Sequence, residues 1–374
     1  MSPTDDVLTE HIAHTRRDNL LTLQSHILAE EARNPGATGT FSWILSALSL
    51  SAKVISAKIR RARIDDVLGP LESDNVQGER QQKLDVIANE TLLRCLGSRA
   101  GVAVVASEEN EEPIILQRAS DGHRPYCVLF DPLDGSSNLD VCGGVGTIFS
   151  ILRHEAAPAA SSSARLGAPA ASSQARLGAP DASSRPPDSV SAPGEHSVLL
   201  PGRKQVAAGY ILYGSSTVFV LTTGSGVSMF VLDPLIGAFL RVADQLRIPH
   251  AAKTYSCNEG NRKSFPEGYQ RYLDWAQSSG YSSRYAGAMV ADVHRLLLQG
   301  GVFLYPPTKK APQGKLRLMY EANPMAMIVE QAGGLAFAGE QRILDVEPTT
   351  LHQRTSVVLG SAEEVQHVQR CLSA

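Results

Sequence analysis

Cysteine is scarce: Cys95, Cys127, Cys142, Cys257 and Cys371 are five thiols in 374 residues, scattered and without metal-ligand spacing. An odd, dispersed set argues for free thiols in a reducing compartment rather than a disulfide framework, so the cytoplasm is the expected address. Long apolar runs are missing too. With no stretch of 18 apolar residues, no membrane span is expected. Nor is there an excess of one charge, because 35 basic and 38 acidic side chains leave a net −3. That balance removes any electrostatic case for nucleic acid or an anionic membrane, and an anionic ligand must be met locally. The acidic start, Met1 to Asp6, lacks the apolar core of a secretory signal and the Arg/Ser bias of a transit peptide; a plastid address would require such a peptide to have been removed. The chain does not end in a peroxisomal Ser-Lys-Leu tripeptide.

What is present centres on Asp131-Pro132-Leu133-Asp134-Gly135-Ser136-Ser137-Asn138. It follows Tyr126-Cys127-Val128-Leu129-Phe130, which reads as a buried strand, and its last residues suit the opening of a helix. Two carboxylates three positions apart, stiffened by Pro132, can face one hard cation, for which Mg²⁺ is the natural occupant. Gly135, Ser136 and Ser137 then offer N–H groups and hydroxyls to a phosphate oxygen. Such residues are also ordinary turn formers, but eight in succession behind a strand favour a site over a plain turn.

Around this loop the chain is long enough for two packed units. Apolar stripes at Leu20, Leu23, Ile27 and at Ile44, Leu48, Ala52, Ile55, Ile59 predict two helices joined by the bend Asn34 to Gly39. A polar loop is expected over Asp65–Gln82, then a helix through Leu84–Leu96 and a strand Val102–Val105 that delivers Ser107-Glu108-Glu109 at its end, where ligands gather in α/β folds. From about 154 to 197 the composition changes. Ala159–Pro169 and Ala170–Pro180 are tandem copies of an eleven-residue unit, AASSSARLGAP and AASSQARLGAP, without aromatic residues or cysteine. Such a segment cannot bury enough apolar surface to order itself, and a disordered insertion is expected. Runs at Val206–Tyr213, Val218–Thr222, Val227–Leu232 and Ala238–Val242, divided by turn residues, predict an antiparallel meander. The remainder alternates: helices near Tyr269–Gln277, Met289–Leu298, Glu321–Gln331 and Glu363–Leu372, strands at Val302–Tyr305 and near Val357, and a basic loop carrying Lys309, Lys310, Lys315 and Arg317. The fold class is α/β (α+β layered), with an N-terminal unit at 1–246 holding the metal loop and a C-terminal unit at 247–374.

The segments LDVIANE (84–90), ASEEN (106–110), FDPLDGSSNLD (130–140), VGTIFSILR (145–153), YSCNEGN (255–261), YSSRYAGAMVADVHR (281–295), LYPPTKKAPQGKLRLMYEANPMAMIVEQAGG (304–334) and LHQR (351–354) together resemble the fructose-1,6-bisphosphatases of the Mg²⁺-dependent, lithium-sensitive sugar phosphatase superfamily. The metal loop is shared across that superfamily, whereas KLRLMYEANPMA and SRYAGAMVADVHR are similar to this family in particular. The likeness spans nearly the whole chain except the repeats and the extreme ends.

The resemblance implies a sugar-phosphatase fold of alternating helix and sheet layers and hydrolysis of the 1-phosphate of fructose 1,6-bisphosphate. Glu108, Asp131, Asp134, Glu321 and the Leu133 carbonyl would hold divalent ions, with Glu79 adding to a third position. Two to three Mg²⁺ per site are implied, with Mn²⁺ or Zn²⁺ as substitutes. Glu109, helped by Asp85, would activate the attacking water. Gly135, Ser136 and Ser137 would meet the substrate, Ser136 and Met289 touching the sugar. Asn258, Tyr285, Tyr305 and Lys315 match the 6-phosphate contacts, and Arg284 an arginine that reaches a neighbouring subunit's site. A homotetramer acting on a small sugar bisphosphate, with no nucleic acid or membrane partner, is implied. Thr38, Gly39, Tyr126 and Arg153 fit an AMP pocket, but Thr40 and Pro125 stand where AMP-sensitive members carry an acid and a lysine, so AMP control is expected to be weak. Asn261 departs from a tyrosine of some relatives. The repeat insertion sits where plastid relatives carry a redox loop, yet it lacks cysteine, and Cys127 and Cys142 are expected in the core. Two other readings compete. A sedoheptulose-1,7-bisphosphatase or dual-specificity enzyme is disfavoured by Asn138 and Asn323–Ala326, and a silent sugar-phosphate sensor by the complete set of carboxylates.

Overall fold

Leu23 and Ile27 on one helix and Ile44, Leu48, Ala52 and Ile55 on the next recur at helical spacing, and all are buried. They belong to α1 (Leu23–Arg33) and α2 (Thr40–Arg61) of the computed structural model, which describes residues 21–33, 39–74, 80–98, 101–116, 125–154 and 197–374. Thr38, Glu79 and the repeat insertion lie outside the described residues. The expected polar loop at 65–82 contains a short hairpin, β1 (Pro70–Asp74) and β2 (Arg80–Gln82), which leads into α3 (Lys83–Gly97). By length and composition α2 could cross a membrane, but half of that stretch is buried, and α2 packs against α3 as a core helix.

The first sheet is built from β3 (Val102–Ser107), β4 (Ile114–Ile115), β5 (Tyr126–Asp134), β6 (Val145–Arg153), β7 (Gln205–Tyr213), β8 (Thr217–Thr222), β9 (Val227–Asp233) and β10 (Ala238–Ala243). Its order is β10-β9-β8-β7-β6-β5-β3-β4, so the predicted meander forms one wing. The neighbours β3 and β5 are parallel. Alternation sends Val128 and Phe130 to the face covered by α1–α3, and Cys127 and Leu129 to the other.

The second sheet runs β12-β11-β13-β18-β15-β16. Its strands are β11 (Thr254–Cys257), β12 (Ser282–Ser283), β13 (Val302–Tyr305), β15 (Leu335–Ala338), β16 (Gln341–Arg342) and β18 (Val357–Gly360); β14 (Leu316–Arg317) pairs with β17 (Arg354–Thr355) beside it. Four helices complete the chain: α4 (Glu267–Ser278), α5 (Met289–Gln299), α6 (Asn323–Gln331) and α7 (Ala362–Ser373). Val290, Val293 and Ile328 of α5 and α6 share a core with Leu129 of the first sheet and Phe303 and Leu359 of the second. Tyr272 and Val368, from α4 and α7, pack with Val302 and Leu304 on the outer face. The layers therefore alternate helix, sheet, helix, sheet, helix, and the middle core joins residues on both sides of position 246.

Three local expectations differ. Ser136–Val141 is a 3₁₀ turn, not the start of an α-helix. Cys142 caps it with φ 56°, its N–H bonded back to Asn138 and Leu139, and this turns the thiol outward; Cys142 is exposed, whereas Cys127 is buried. Glu321 lies in a π turn, Leu318–Ala322, that precedes α6. There the Asn323 N–H bonds to the Leu318 carbonyl, and Pro324, lacking an N–H, cannot make the α-helical bond to Tyr320.

Candidate active site

Parallel pairing of β3 with β5, Ser107 opposite Phe130, brings two strand ends side by side. Glu108 and Glu109 leave one; Asp131 and Asp134 leave the other. The Glu108 N–H donates to the Phe130 carbonyl (3.1 Å), and the Leu133 N–H donates to Asp131 Oδ1 (2.9 Å), which shapes the acidic turn. The Thr147 hydroxyl holds the Pro132 carbonyl at 2.9 Å. From the far side, the π turn supplies Glu321. Ligand oxygens of Asp131, Asp134 and Glu321 all lie within 4.8 Å of one another, and all three residues are buried.

So many acids in a buried space would repel one another, and each is held in place. The Val290 N–H, in the first turn of α5, donates to Asp134 Oδ2 (2.6 Å), and the Arg317 N–H donates to Glu321 Oε2 (2.6 Å). The buried guanidinium of Arg317 pairs with Glu108 Oε1 at 2.9 Å. Burial, reinforced by neighbouring carboxylates, pushes Glu108, Asp131 and Asp134 well above the carboxylate range. Glu108 Oε2 is buried without a hydrogen bond from any N–H group, and the side chain that shares a proton with Glu108 is the neighbouring acid Asp131. An all-oxygen set with one oxygen unpaired fits a hard divalent cation, which would supply the missing positive charge.

Asp85 stands at the edge of this group. Its Oδ2 accepts the Gln82 N–H (2.8 Å) and closes a capping box at the start of α3. Burial raises it to about 7, and the nearby Glu109 charge adds to the rise. A carboxyl group poised near neutrality beside Glu109 suits proton transfer.

A cavity of about 430 Å³ joins these acids to the expected substrate contacts Gly135, Ser136, Ser137, Tyr285, Tyr305 and Lys315 and to Met289, expected against the sugar. Gly135 has φ 74°, and a Cβ there would meet the Ala288 Cβ at 2.3 Å, so the loop can seat against α5 only as glycine. Asn258 lies outside the main cavity, in a small recess with Asn261 and Tyr305. Arg284 is exposed and does not line the cavity; its guanidinium donates to the adjacent Ser283 carbonyl (2.8 Å). Tyr126 and Arg153 line a separate cavity of about 320 Å³ beside α1 and α2, while Gly39 caps α2 nearby. Sequence reasoning missed Arg317 and Asp292 in the main cavity. Arg317 read as one more charge in a basic loop, whereas in the structure it lies in β14, buried against Glu108.

Strand-end acids, a phosphate-binding loop and a polar cavity define a metal-assisted phosphomonoester hydrolase. The family description "Fructose-1-6-bisphosphatase, N-terminal domain" matches residues 21–244, and its C-terminal counterpart matches 248–373. The chain belongs to the fructose-1,6-bisphosphatase family. It is 46% identical over 353 residues to a class 1 fructose-1,6-bisphosphatase of Chlorobium chlorochromatii (strain CaD3), covering 93% of this chain and 96% of that protein. Crystal structures of Leishmania major fructose-1,6-bisphosphatase are similar as well. The holo form has a TM-score of 0.80 and 38% identity, covering 96% of this chain and 100% of that one. The T-state form has 0.77 and 36%, covering 95% and 99%.

Proposed function

We propose that the chain removes the 1-phosphate of D-fructose 1,6-bisphosphate, giving D-fructose 6-phosphate and inorganic phosphate. The observation that carries this reading is that one cavity is lined both by the acids Glu108, Asp131, Asp134 and Glu321 and by Tyr285, Tyr305 and Lys315. The substrate is an anion at both ends, and the cavity is built to meet each differently.

At the acidic end, Glu108, Asp131, Asp134, Glu321 and the Leu133 carbonyl would hold Mg²⁺, with Mn²⁺ or Zn²⁺ as substitutes. A metal held there would supply polarisation of the phosphoryl oxygens and stabilisation of their developing charge. The N–H groups and hydroxyls at Gly135–Ser137 orient the 1-phosphate. Glu109 positions a water and takes its proton, and Asp85, near neutrality, shares that proton. Arg317 keeps Glu108 aimed at the site. At the other end, Tyr285, Tyr305, Lys315 and Asn258 hold the 6-phosphate, and Met289 packs against the sugar.

Arg284, Tyr285 and Lys315 are exposed in the single chain, which supports a homo-oligomer in which Arg284 completes a neighbour's clamp. Exposed Trp43, Leu50 and Val54 along one face of α2 support a second contact between copies. Five free thiols suit a reducing cytoplasm.

In the α1–α2 cavity the Ser42 hydroxyl is already donated to Glu31 (2.5 Å), and the Arg153 guanidinium lies 5.4 Å from the Tyr126 ring centroid. With Glu30 and Glu31 facing the cavity and no lysine at Pro125, AMP would bind weakly. The test is phosphate release from fructose 1,6-bisphosphate with and without Mg²⁺, alongside an AMP titration. Mg²⁺-dependent release is expected, with Pro125→Lys strengthening AMP inhibition roughly tenfold. No release from this sugar or from sedoheptulose 1,7-bisphosphate would overturn the reading.

A further inference from the structure

The stretch Arg284–Ala288, which carries Tyr285, has almost no regular structure, and Ala286 and Gly287 are exposed. Its backbone is nevertheless held from two sides. Asp292, buried in α5, directs one carboxylate oxygen to the Ala286 N–H (2.8 Å) and the other to the Gly287 N–H (3.2 Å). An acidic side chain in a first helical turn ordinarily satisfies N–H groups of that turn. Here it reaches past the cap residue Ala288 and fastens the incoming chain, while the first-turn Val290 N–H goes to Asp134.

The second hold comes from the metal loop's side. The Asn138 amide, in the 3₁₀ turn that begins at Ser136, donates to the Ala286 carbonyl (3.0 Å) and the Gly144 carbonyl (3.3 Å). The Ala286 residue is thus gripped at its N–H by Asp292 and at its carbonyl by Asn138. Gly135 packs on Ala288 with no room for a Cβ, which removes slack between the two loops. These contacts fix the span from the phosphate loop to Tyr285.

We propose that Asp292, with Asn138, is a positioning residue that sets the distance between the 1-phosphate end and the 6-phosphate clamp, and so matches the cavity to a bisphosphate of one length. The inference rests on Tyr285 being part of that clamp. Losing Asp292 releases the chain that follows Tyr285, which then keeps only the Arg284 N–H to Tyr255 carbonyl bond (2.8 Å) before it and the Asn138 bond after it, whereas the acids at the other end keep their own bonds from Val290, Arg317 and Leu133. The cost should fall on ligands that use the clamp.

The experiment measures KM for fructose 1,6-bisphosphate, the inhibition constants of fructose 6-phosphate and of inorganic phosphate, and the Mg²⁺ concentration for half-maximal activity. Compared with wild type, Asp292→Ala is expected to raise KM and the fructose 6-phosphate constant by roughly tenfold, with kcat falling less than KM rises. Phosphate inhibition and Mg²⁺ dependence should stay within about twofold. Asn138→Ala should shift the same two constants, and the double variant should lose less than the product of the single losses, because both act on Ala286. Should Asp292→Ala fail to fold, Asn138→Ala and Asp292→Asn carry the test, since Asn keeps one acceptor and turns an amide toward the other N–H. An unchanged fructose 6-phosphate constant, or a parallel shift in phosphate and Mg²⁺ dependence, overturns the proposal. Tyr285→Phe separates the two readings: if it leaves fructose 6-phosphate inhibition unchanged the clamp assignment fails, and if it weakens inhibition while Asp292→Ala does not, the positioning role alone fails.

Discussion

At the scale of single residues, the site is a problem of charge. Glu108, Asp131, Asp134 and Glu321 are crowded where water is scarce, and the buried guanidinium of Arg317 stands among them. Glu109 differs, because it sits at the half-buried rim beside Asp85 and can meet a water. Glu109→Gln keeps the shape and removes the proposed proton acceptor. It is expected to lower kcat by about 10²–10⁴ while leaving fructose 6-phosphate binding within about twofold; unchanged phosphate release from this variant would show that another group takes the proton. The charge of Glu109 was legible in the sequence as half of an acidic pair after a strand. The burial of Arg317 was not, because a basic residue in a basic stretch carries no mark of the acids it will face.

Among the elements, short irregular pieces do the aiming. The π turn at Leu318–Ala322 swings Glu321 toward Asp131 and Asp134, and the αL residue Gly135 ends the metal loop against α5. An added methyl at Gly135 must displace Ala288 and hold φ 74° with a side chain. Gly135→Ala should therefore destabilise the protein by about 1–3 kcal/mol, read from denaturant unfolding, and reduce kcat more than it reduces AMP or metal binding. A variant of wild-type stability and turnover would mean that the loop has slack. Regular elements were readable from their period: both N-terminal helices, the meander and the helices ending the chain lie close to their predicted spans. Short strands such as Leu316–Arg317 and Arg354–Thr355 were not, since two residues have no period and exist only because each pairs with the other.

For the whole molecule, the raised carboxylates link folding to pH and metal. A carboxylate whose folded value lies above its unfolded value binds its proton more tightly in the native state. The stability this contributes is fully present below the unfolded value and is lost progressively as pH rises to the folded value. With Asp85 moved from 3.8 to about 7, the window runs between those values. The Tm of the metal-free protein should fall by several degrees from roughly pH 5 to pH 8, and Mg²⁺ should restore it more at the upper end. A Tm that is flat or rises over that range without metal would refute the link. The same scale decides assembly: Trp43→Glu, on the exposed face of α2, is expected to lower the mass seen by sedimentation, and Arg284→Ala to raise KM only in the assembled form.

By itself the sequence determined the family and the alternating helix and strand order, and it named all but one of the carboxylates that the structure gathers around the main cavity. Those signals are local, being a period, a turn composition or a run of acids, and local signals survive in one dimension. Only the tertiary structure decided which acids share a cluster, that Arg317 neutralises one of them, that Cys142 faces outward, and that Asp292 and Asn138 grip one residue from opposite sides. Each of these depends on chain segments far apart in sequence meeting where burial removes water, and the strength of a charge or a hydrogen bond is settled there.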